Sequence, residues 1–299
     1  AMAQTLGSLR VAATTMWARP AAGFDDHLRH LRGLLDAAAG ADLVVLPEMS
    51  SIELFGLESG WREAEVARIA SLARHAPDLL EFAVAEAAAR GIHLLAGTHL
   101  VRTGAGLRNV AWLVGPDGLV LAHEKTHLFP MERALGTGEG DELAVARIGS
   151  AVVGIATCYE AEIPEYTTAL AALGADVILC PSLTNTEAGF WRVRHCLHAR
   201  AVENQVYAVH SCLGGGPIGP HTGGTGRGAV LAPCDAPWPA RGVLAECPEG
   251  EGVAVADLDL DALHANRRDG AATTHADRRR RSDLHARWAG IATEPAHAR

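Results

Sequence analysis

The sequence predicts an α/β fold, and three observations carry that expectation. Short apolar, β-branched runs recur along the 299 residues. Segments with Leu or Ala at helical spacing lie between most of them. Gly115-Pro-Asp-Gly118, set between two apolar runs, has the composition of a hairpin turn. The alternation places the chain in the α/β class. The hairpin mixes antiparallel pairing into the sheet, which argues against a simple doubly wound arrangement.

Leu9 to Ala13 reads as the opening strand. Phe24 to Ala39 follows as a helix, because Leu28, Leu31, Leu34 and Leu35 share a face and Gly40 stops it. A strand at Asp42 to Leu46 precedes two helical stretches, Arg62 to Arg74 and Asp78 to Arg90, divided by Pro77 and closed by Gly91. The strand Ile92 to Ala96 leads to the hairpin of Asn109 to Val114 with Leu119 to Ala122. A second round runs through a strand at Ala151 to Ala156, a helix at Ile163 to Leu173, a strand at Asp176 to Leu179, a helix at Glu187 to Glu203 and a strand at Val206 to His210. Further strands are expected at Ala229 to Leu231 and Val253 to Leu258. No linker divides the chain, so residues 1–299 read as one domain with a core over about 9–268 and a tail over 269–299.

A formal charge of −9 disfavours a nucleic-acid surface. The one basic run, Arg278-Arg-Arg-Arg281, reads as a solvated tail. No stretch approaches the roughly 20 apolar residues that span a bilayer, and the start lacks the pattern of a signal peptide. A soluble, cytoplasmic protein is expected. Six cysteines show no C-x-x-C pair, so reduced thiols are the default. His195-Cys196-Leu-His198 offers metal-type ligands on one helical face, but an amphipathic helix explains it as well. The glycine-rich stretch from Cys212 to Gly228 lacks the Lys-Ser/Thr of a P-loop. It reads as a mobile surface loop that borders a substrate pocket.

Three segments carry ionisable residues at strand ends. Gly154-Ile-Ala-Thr-Cys158-Tyr159-Glu160 puts a thiol where a strand hands over to a helix, Leu43-Val-Val-Leu-Pro47-Glu48 ends in a carboxylate, and Glu124-Lys125-Thr-His-Leu128-Phe supplies an ammonium. A buried core cysteine is the commoner fate of a free thiol. The three segments together change that balance toward a nucleophile with a base and a cation.

These segments resemble the Glu-Lys-Cys triad of the nitrilase, or carbon-nitrogen hydrolase, superfamily. Leu46-Pro47-Glu48 fits its glutamate motif, Lys125-Thr126-His127-Leu128-Phe129 its lysine motif, and Cys158-Tyr159-Glu160 with Pro164-Glu165 its nucleophile motif. Pro181-Ser182 and Ala199-Arg200-Ala201-Val202-Glu203-Asn204-Gln205 agree in order, and the likeness runs from about residue 9 to 268. The resemblance implies a four-layer αββα sandwich, two mixed sheets packed face to face between helix layers. It implies covalent catalysis without metal or cofactor: Glu48 as base, Lys125 as cation, Cys158 as nucleophile, and Glu132 orienting the lysine or activating water. On its own Glu132 reads as a surface carboxylate. The backbone N–H of Tyr159 joins Lys125 in an oxyanion hole. His127 is expected to be structural, Glu160 and Glu165 are explained by a helix start, and Glu203 is expected to anchor backbone beneath the site.

Amidase-like branches often carry Tyr after the cysteine, as Tyr159 does in this chain, which favours amides over nitriles. Carbamoylases often place arginine shortly after the cysteine. Ala161 and Glu162 stand there instead, so Glu162 suggests an amine-bearing or neutral substrate. Arg192, Arg194 and Arg227 leave an anion open. The expected partner is a small amide, with a nitrile or an N-carbamoyl amine as alternatives; a non-catalytic binding protein and a nucleotide-binding loop at 214–228 are weaker readings. The resemblance also implies a homodimer or larger assembly, with Ile163 to Leu173, Glu187 to Glu203 and the C-terminal segment at the interface.

Overall fold

The computed structural model describes residues 7–289. In chain order the elements are β1 (Ser8–Ala18), α1 (Phe24–Ala37), β2 (Leu43–Val45), α2 (Ala76–Arg90), β3 (His93–Thr103), β4 (Gly106–Gly115), β5 (Gly118–Glu124) and α3 (Pro130–Ala134). They continue as β6 (Thr137–Gly138), β7 (Val145–Ile148), β8 (Ala151–Ile155), α4 (Pro164–Ala172), β9 (Val177–Leu183), α5 (Glu187–Asn204) and β10 (Tyr207–Gly215). The last are β11 (Ala229–Leu231), β12 (Val243–Glu246), β13 (Gly252–Asp259), α6 (Leu260–Asp269), α7 (Thr274–Arg280) and α8 (Ser282–Ala289).

The architecture is an αββα sandwich. Hydrogen bonding runs in the strand order β5-β4-β3-β2-β1-β10-β9-β8-β7, and the stretch from β3 to β8 is parallel throughout. The period-2 alternation of strand side chains explains the layering. Val11, Ala13, Leu43, Val45 and Leu95 from one half meet Val153, Ile155, Val177, Leu179, Tyr207 and Val209 from the other in one buried cluster between the sheets. The alternate residues point outward. Ala12, Met16, Val44 and Leu94 pack under α1 and α2. Ile178, Cys180, Val206 and Ala208 pack under α4 and α5. Three apolar interfaces therefore separate four layers.

Several elements depart from expectation. Arg62 to Arg74 is not an α-helix but two 3-10 segments, Trp61–Glu63 and Val66–His75, and a further 3-10 segment spans Ser50–Leu57. Pro77 does not divide two helices: it occupies the first turn of α2, where a missing N–H is harmless. The short strands β7 and β12 carry too few apolar residues to stand out in sequence. The basic run is largely solvated, as expected, with Arg279, Arg280 and Arg281 exposed, but it is not a free tail: Arg278 reaches Asn204 Oδ1 and Arg279 Nη2 donates to the Ala171 carbonyl, 3.2 Å away. The glycine-rich loop is pinned by bridges between Gly215 and Gly224 and between Ile218 and His221, with Ile218 and His221 buried. Among the described residues no helix is long and apolar enough to cross a membrane.

A charged cluster holds the Ser50–Leu57 segment against α1. Glu53 Oε2 lies 2.9 Å from His27 Nδ1, Glu53 Oε1 lies 2.8 Å from His30 Nδ1, and His30 Nε2 lies 2.5 Å from Glu251 Oε2. Burial alone would push Glu53 up, but the two imidazoles outweigh it and leave it at about 2. Burial would push His30 down, but Glu251 and Glu53 outweigh that and hold it at about 9. The stabilisation from His30 is therefore complete below its ordinary value of 6.5 and is lost as pH rises through about 9. That from Glu53 is present above 4.5 and is lost as pH falls through about 2. A thermal melt of wild type should show its midpoint falling between pH 6.5 and 9. His30→Gln should flatten that limb and lower the midpoint on the acid side, where losing a hydrogen bond to a charged group costs about 1.5–3 kcal/mol. An alkaline limb of unchanged steepness in the variant would show that His30 does not generate it.

Candidate active site

Glu48, Lys125 and Cys158 lie far apart in sequence, and the sheet brings them to one cavity. Glu48 follows β2, Lys125 follows β5, and Cys158 follows β8. Leu183 closes β9 beside them. Strand ends of a largely parallel sheet leave backbone groups and side chains free to converge, as in open α/β sheets generally.

The placement of Glu48 depends on a kink in β3. Pairing with β4 slips between Leu95 and Thr98, and Gly97 there has φ +76°. A Cβ on Gly97 would lie 2.1 Å from the Pro47 carbonyl oxygen. Only glycine fits both the backbone angle and the close approach. The approach lets Glu48 bridge to Thr98 just past the end of β2, continuing its pairing with β3.

One ammonium joins two carboxylates in the cavity floor. Lys125 Nζ donates to Glu48 Oε1 at 2.8 Å and to Glu132 Oε2 at 2.6 Å. Asn109 Nδ2 repeats the bridge, donating to Glu48 Oε1 at 3.0 Å and to Glu132 Oε1 at 2.8 Å. The Leu183 N–H donates to Glu48 Oε2 at 2.9 Å, so both oxygens of Glu48 are held. The Phe129 N–H donates to Glu132 Oε2 at 2.9 Å. Glu132 therefore sits in the cavity and not on a free surface.

Cys158 begins a 3-10 turn, Cys158–Glu162, with φ 47°. Such a left-handed angle costs a non-glycine residue about 1–3 kcal/mol and persists only where surrounding contacts hold it. At Cys158 they do. Glu160, fully buried, accepts from the Thr157 N–H at 2.7 Å, the Thr126 N–H at 2.6 Å and Thr126 Oγ1 at 2.8 Å, and both its oxygens lie within 3.0 Å of His123 Nε2. Tyr166 donates its hydroxyl to the Ile155 carbonyl at 2.8 Å. Arg200 Nε donates to the Ala161 carbonyl at 3.1 Å. Glu160 thus ties the cysteine turn to the lysine segment, a larger part than a helix start explains. Glu203 is not the backbone anchor; its carboxylate is partly exposed and sits on Arg200 Nη1 at 2.6 Å, while Arg200 makes the backbone contact.

The thiol lies over the Leu183 peptide. Cys158 Sγ donates to the Leu183 carbonyl at 3.5 Å and accepts from Ser182 Oγ at 3.3 Å. Glu48 binds the N–H of the same residue, so the acid and the thiol hold the two backbone polar groups of Leu183. Burial pushes the thiol far above its ordinary range, and the charge of Glu48 adds to this against the opposing pull of Lys125. Burial raises Glu48 as well, opposed by Lys125 and reinforced by Glu132. Burial lowers Lys125, but Glu48 and Glu132 outweigh it and keep the ammonium charged. One cation already serves two anions, so a third anion on sulfur is disfavoured. The resting site holds a thiol beside a carboxylate.

Tyr159 and Glu162 also line the cavity, Tyr159 edge-on to Phe129. Glu162 is not an open anchor for an amine, since Arg192 Nε donates to it at 2.7 Å. Arg194 is buried, bonded to His210 and Glu246, and Arg227 pairs with Glu246 at 3.1 Å, so neither belongs to the cavity lining. His127 meets Thr126 Oγ1 at 2.9 Å and the edge of Tyr166. Cys180, Cys212 and Cys247 are buried, Cys196 is half-buried and Cys234 is exposed; none of these lines the cavity. Sequence reasoning passed over Asn109 and Leu183, and took Ser182 only as part of a matching motif. Asn109 left a signal, a polar side chain at the head of the apolar run to Val114.

Known proteins share this arrangement of chain. The carbon-nitrogen hydrolase family model matches residues 8–268. The protein named "Probable hydrolase YhcX" of Bacillus subtilis is 31% identical over 268 residues, 86% of this chain; the chain spans 51% of that relative's length. An (R)-stereoselective amidase of a Pseudomonas species is 34% identical over 244 residues, 81% of each chain. A structure of a mutant amidase from Nesterenkonia sp. AN1, bearing the acetamide moiety of fluoroacetamide on its active-site cysteine, superposes with a TM-score of 0.67 at 25% identity, covering 96% of this chain and 100% of that one. The chain belongs to the carbon-nitrogen hydrolase family.

Proposed function

We propose that this hydrolase cleaves a small linear amide to an acid and ammonia or an amine through a thioester on Cys158. The observation that carries the reading is the buried Lys125 ammonium shared by Glu48 and Glu132 in the cavity that holds the Cys158 thiol. A covalent adduct at the cysteine of the Nesterenkonia amidase and the amidase activity named for the Pseudomonas relative support it.

Each step follows from the charges. As sulfur attacks the amide carbon, its proton passes to Glu48, so no third anion forms beside the two carboxylates. Negative charge moves to the carbonyl oxygen. Lys125 has three N–H donors, two of them engaged with carboxylates, and the third serves that oxygen together with the Tyr159 N–H. The C–N bond breaks as Glu48 returns the proton to nitrogen, leaving a thioester. Glu48 then takes a proton from water, the hydroxide attacks the thioester carbon, and the thiolate leaves and recovers that proton. Asn109 and Glu132 act through the others: they fix Glu48 and Lys125 in the geometry these transfers require.

We also propose a homo-oligomer. Trp191, His195 and Val202 share one face of α5 and Leu173 ends α4 nearby, leaving Trp191, Val202 and Leu173 as exposed apolar groups on the segments the family resemblance assigns to an interface.

Cys158→Ala should abolish ammonia release from an amide panel, and the wild type trapped during turnover should carry an acyl mass on the Cys158 peptide. Wild-type turnover by the variant would refute the mechanism, and acid formed from nitriles with no amide turned over would replace it with a nitrilase. Asn109→Leu should lower kcat by about 10-fold or more, since it removes hydrogen bonds to both carboxylates, each worth about 1.5–3 kcal/mol. Glu48 works as the carboxylate, so activity should fall as pH drops through its raised value, above the ordinary 4.5. Asn109→Leu should move that acid limb upward, because a donor to the ionised form is gone. An unmoved limb would show that Asn109 does not support the ionised form of Glu48. Light scattering at micromolar concentration should return at least twice the 31.3 kDa chain mass, and a monomer would end the oligomer proposal.

A further inference from the structure

The cavity beside Cys158 has two unlike walls. On one side stand Met49, Ile52, Val66, Ile69, Leu100 and Leu135, contributed by the two 3-10 segments, β3 and the residue after α3. On the other stand Thr184, Asn185 and Thr186 before α5, with His221 and Thr222 from the glycine-rich loop. His221 is buried, which lowers it to about 4 and leaves it neutral near pH 7. The cavity volume is about 290 Å³, the lower end of the range for ligand pockets, enough for a ring or a branched chain.

Every charged side chain of this lining is already matched within the protein. Lys125 is bound by Glu48 and Glu132, and the one arginine, Arg192, is bound by Glu162 at 2.7 Å. No unpaired cation among the described lining residues stands ready for a carboxylate on the substrate. The floor, with two carboxylates to one ammonium, repels an anion as well. A charged group laid on the aliphatic wall would lose its hydration with nothing in return. An apolar group there would instead be removed from water at about 25 cal/mol per Å².

We infer that the acyl part of the amide is uncharged and apolar, a branched aliphatic or arylalkyl group seated on the wall of Met49, Ile52, Val66, Ile69, Leu100 and Leu135. This assignment rests on the amide hydrolysis proposed above. It separates the substrate from amides whose acyl chain ends in a second carboxylate, and it makes Ile69 and Val66 specificity-determining residues. Ile69 is buried at the back of the 3-10 segment, and Val66 stands half-buried at its start.

Ammonia release by the purified full chain from acetamide, 3-methylbutanamide, phenylacetamide and succinamate tests it. The expected kcat/KM for 3-methylbutanamide and phenylacetamide exceeds that for acetamide by about tenfold or more, and that for succinamate by about 100-fold, given the worth of methylene groups and of an unpaired charge in an apolar pocket. Ile69→Asp should cut the ratio of 3-methylbutanamide to acetamide by about tenfold through KM. Val66→Trp, which narrows the wall without adding charge, should cut the ratio of phenylacetamide to acetamide. Succinamate turned over as well as phenylacetamide, or ratios unchanged in both variants, would overturn the acyl assignment while amide hydrolysis stood. No ammonia from any of the four amides with wild type would remove the amidase reading and this inference together.

Discussion

The structure depends on one buried ammonium that must serve two carboxylates and face a thiol. Lys125, Glu48 and Glu132 could not be buried singly, because an uncompensated charge in the interior is costly. Together they form a bonded set, and Asn109, Leu183 and Phe129 supply further donors to its carboxylates. The arrangement is one cation short of neutrality. Burial first, and the charge of Glu48 second, hold the Cys158 thiol protonated at rest against the pull of Lys125.

Holding that set requires close-packed backbone within β3 and a strained turn after β8. Gly97 lets the Pro47 carbonyl approach β3, and the left-handed turn at Cys158 aims the thiol over the Leu183 peptide. Glu160 ties the cysteine turn to the lysine segment. It gathers the Thr157 and Thr126 backbone, the Thr126 hydroxyl and His123 onto one carboxylate, so the nucleophile turn and the lysine segment move as a unit. Burial would push Glu160 up, yet His123 and the two backbone N–H groups outweigh it and keep the carboxylate ionised. A neutral side chain of the same shape would leave some of those donors without an acceptor.

Away from the reacting groups, the wall of the cavity is built on segments with little regular structure. Ile52 lies on the 3-10 segment that Glu53 anchors to His27 and His30, and Val66 and Ile69 lie on the 3-10 segment Val66–His75. Glu48, Lys125 and Cys158 sit just past strand ends of the sheet, while much of the apolar lining of the cavity sits on short connecting helices. Such a division lets specificity change without moving the reacting atoms.

Sequence by itself determined the class of fold, most strands to within a few residues, and the three segments that bear Glu48, Lys125 and Cys158. It did so because period-2 and period-3.6 patterns are local, and because each ionisable residue sits at the end of a visible apolar run. Family motifs, not periodicity, gave Glu132 its place and the sandwich its four layers. What only the tertiary structure decided depends on partners distant along the chain. Asn109 matters because two glutamates, 61 and 23 residues away, meet at its amide. Glu162 is closed to a substrate because Arg192, 30 residues on, reaches it. The basic run of α7 docks because Asn204 and the Ala171 carbonyl lie across from it. No local pattern encodes those meetings, since they arise only when the folded sheets and helices bring separate strands and loops within hydrogen-bonding distance.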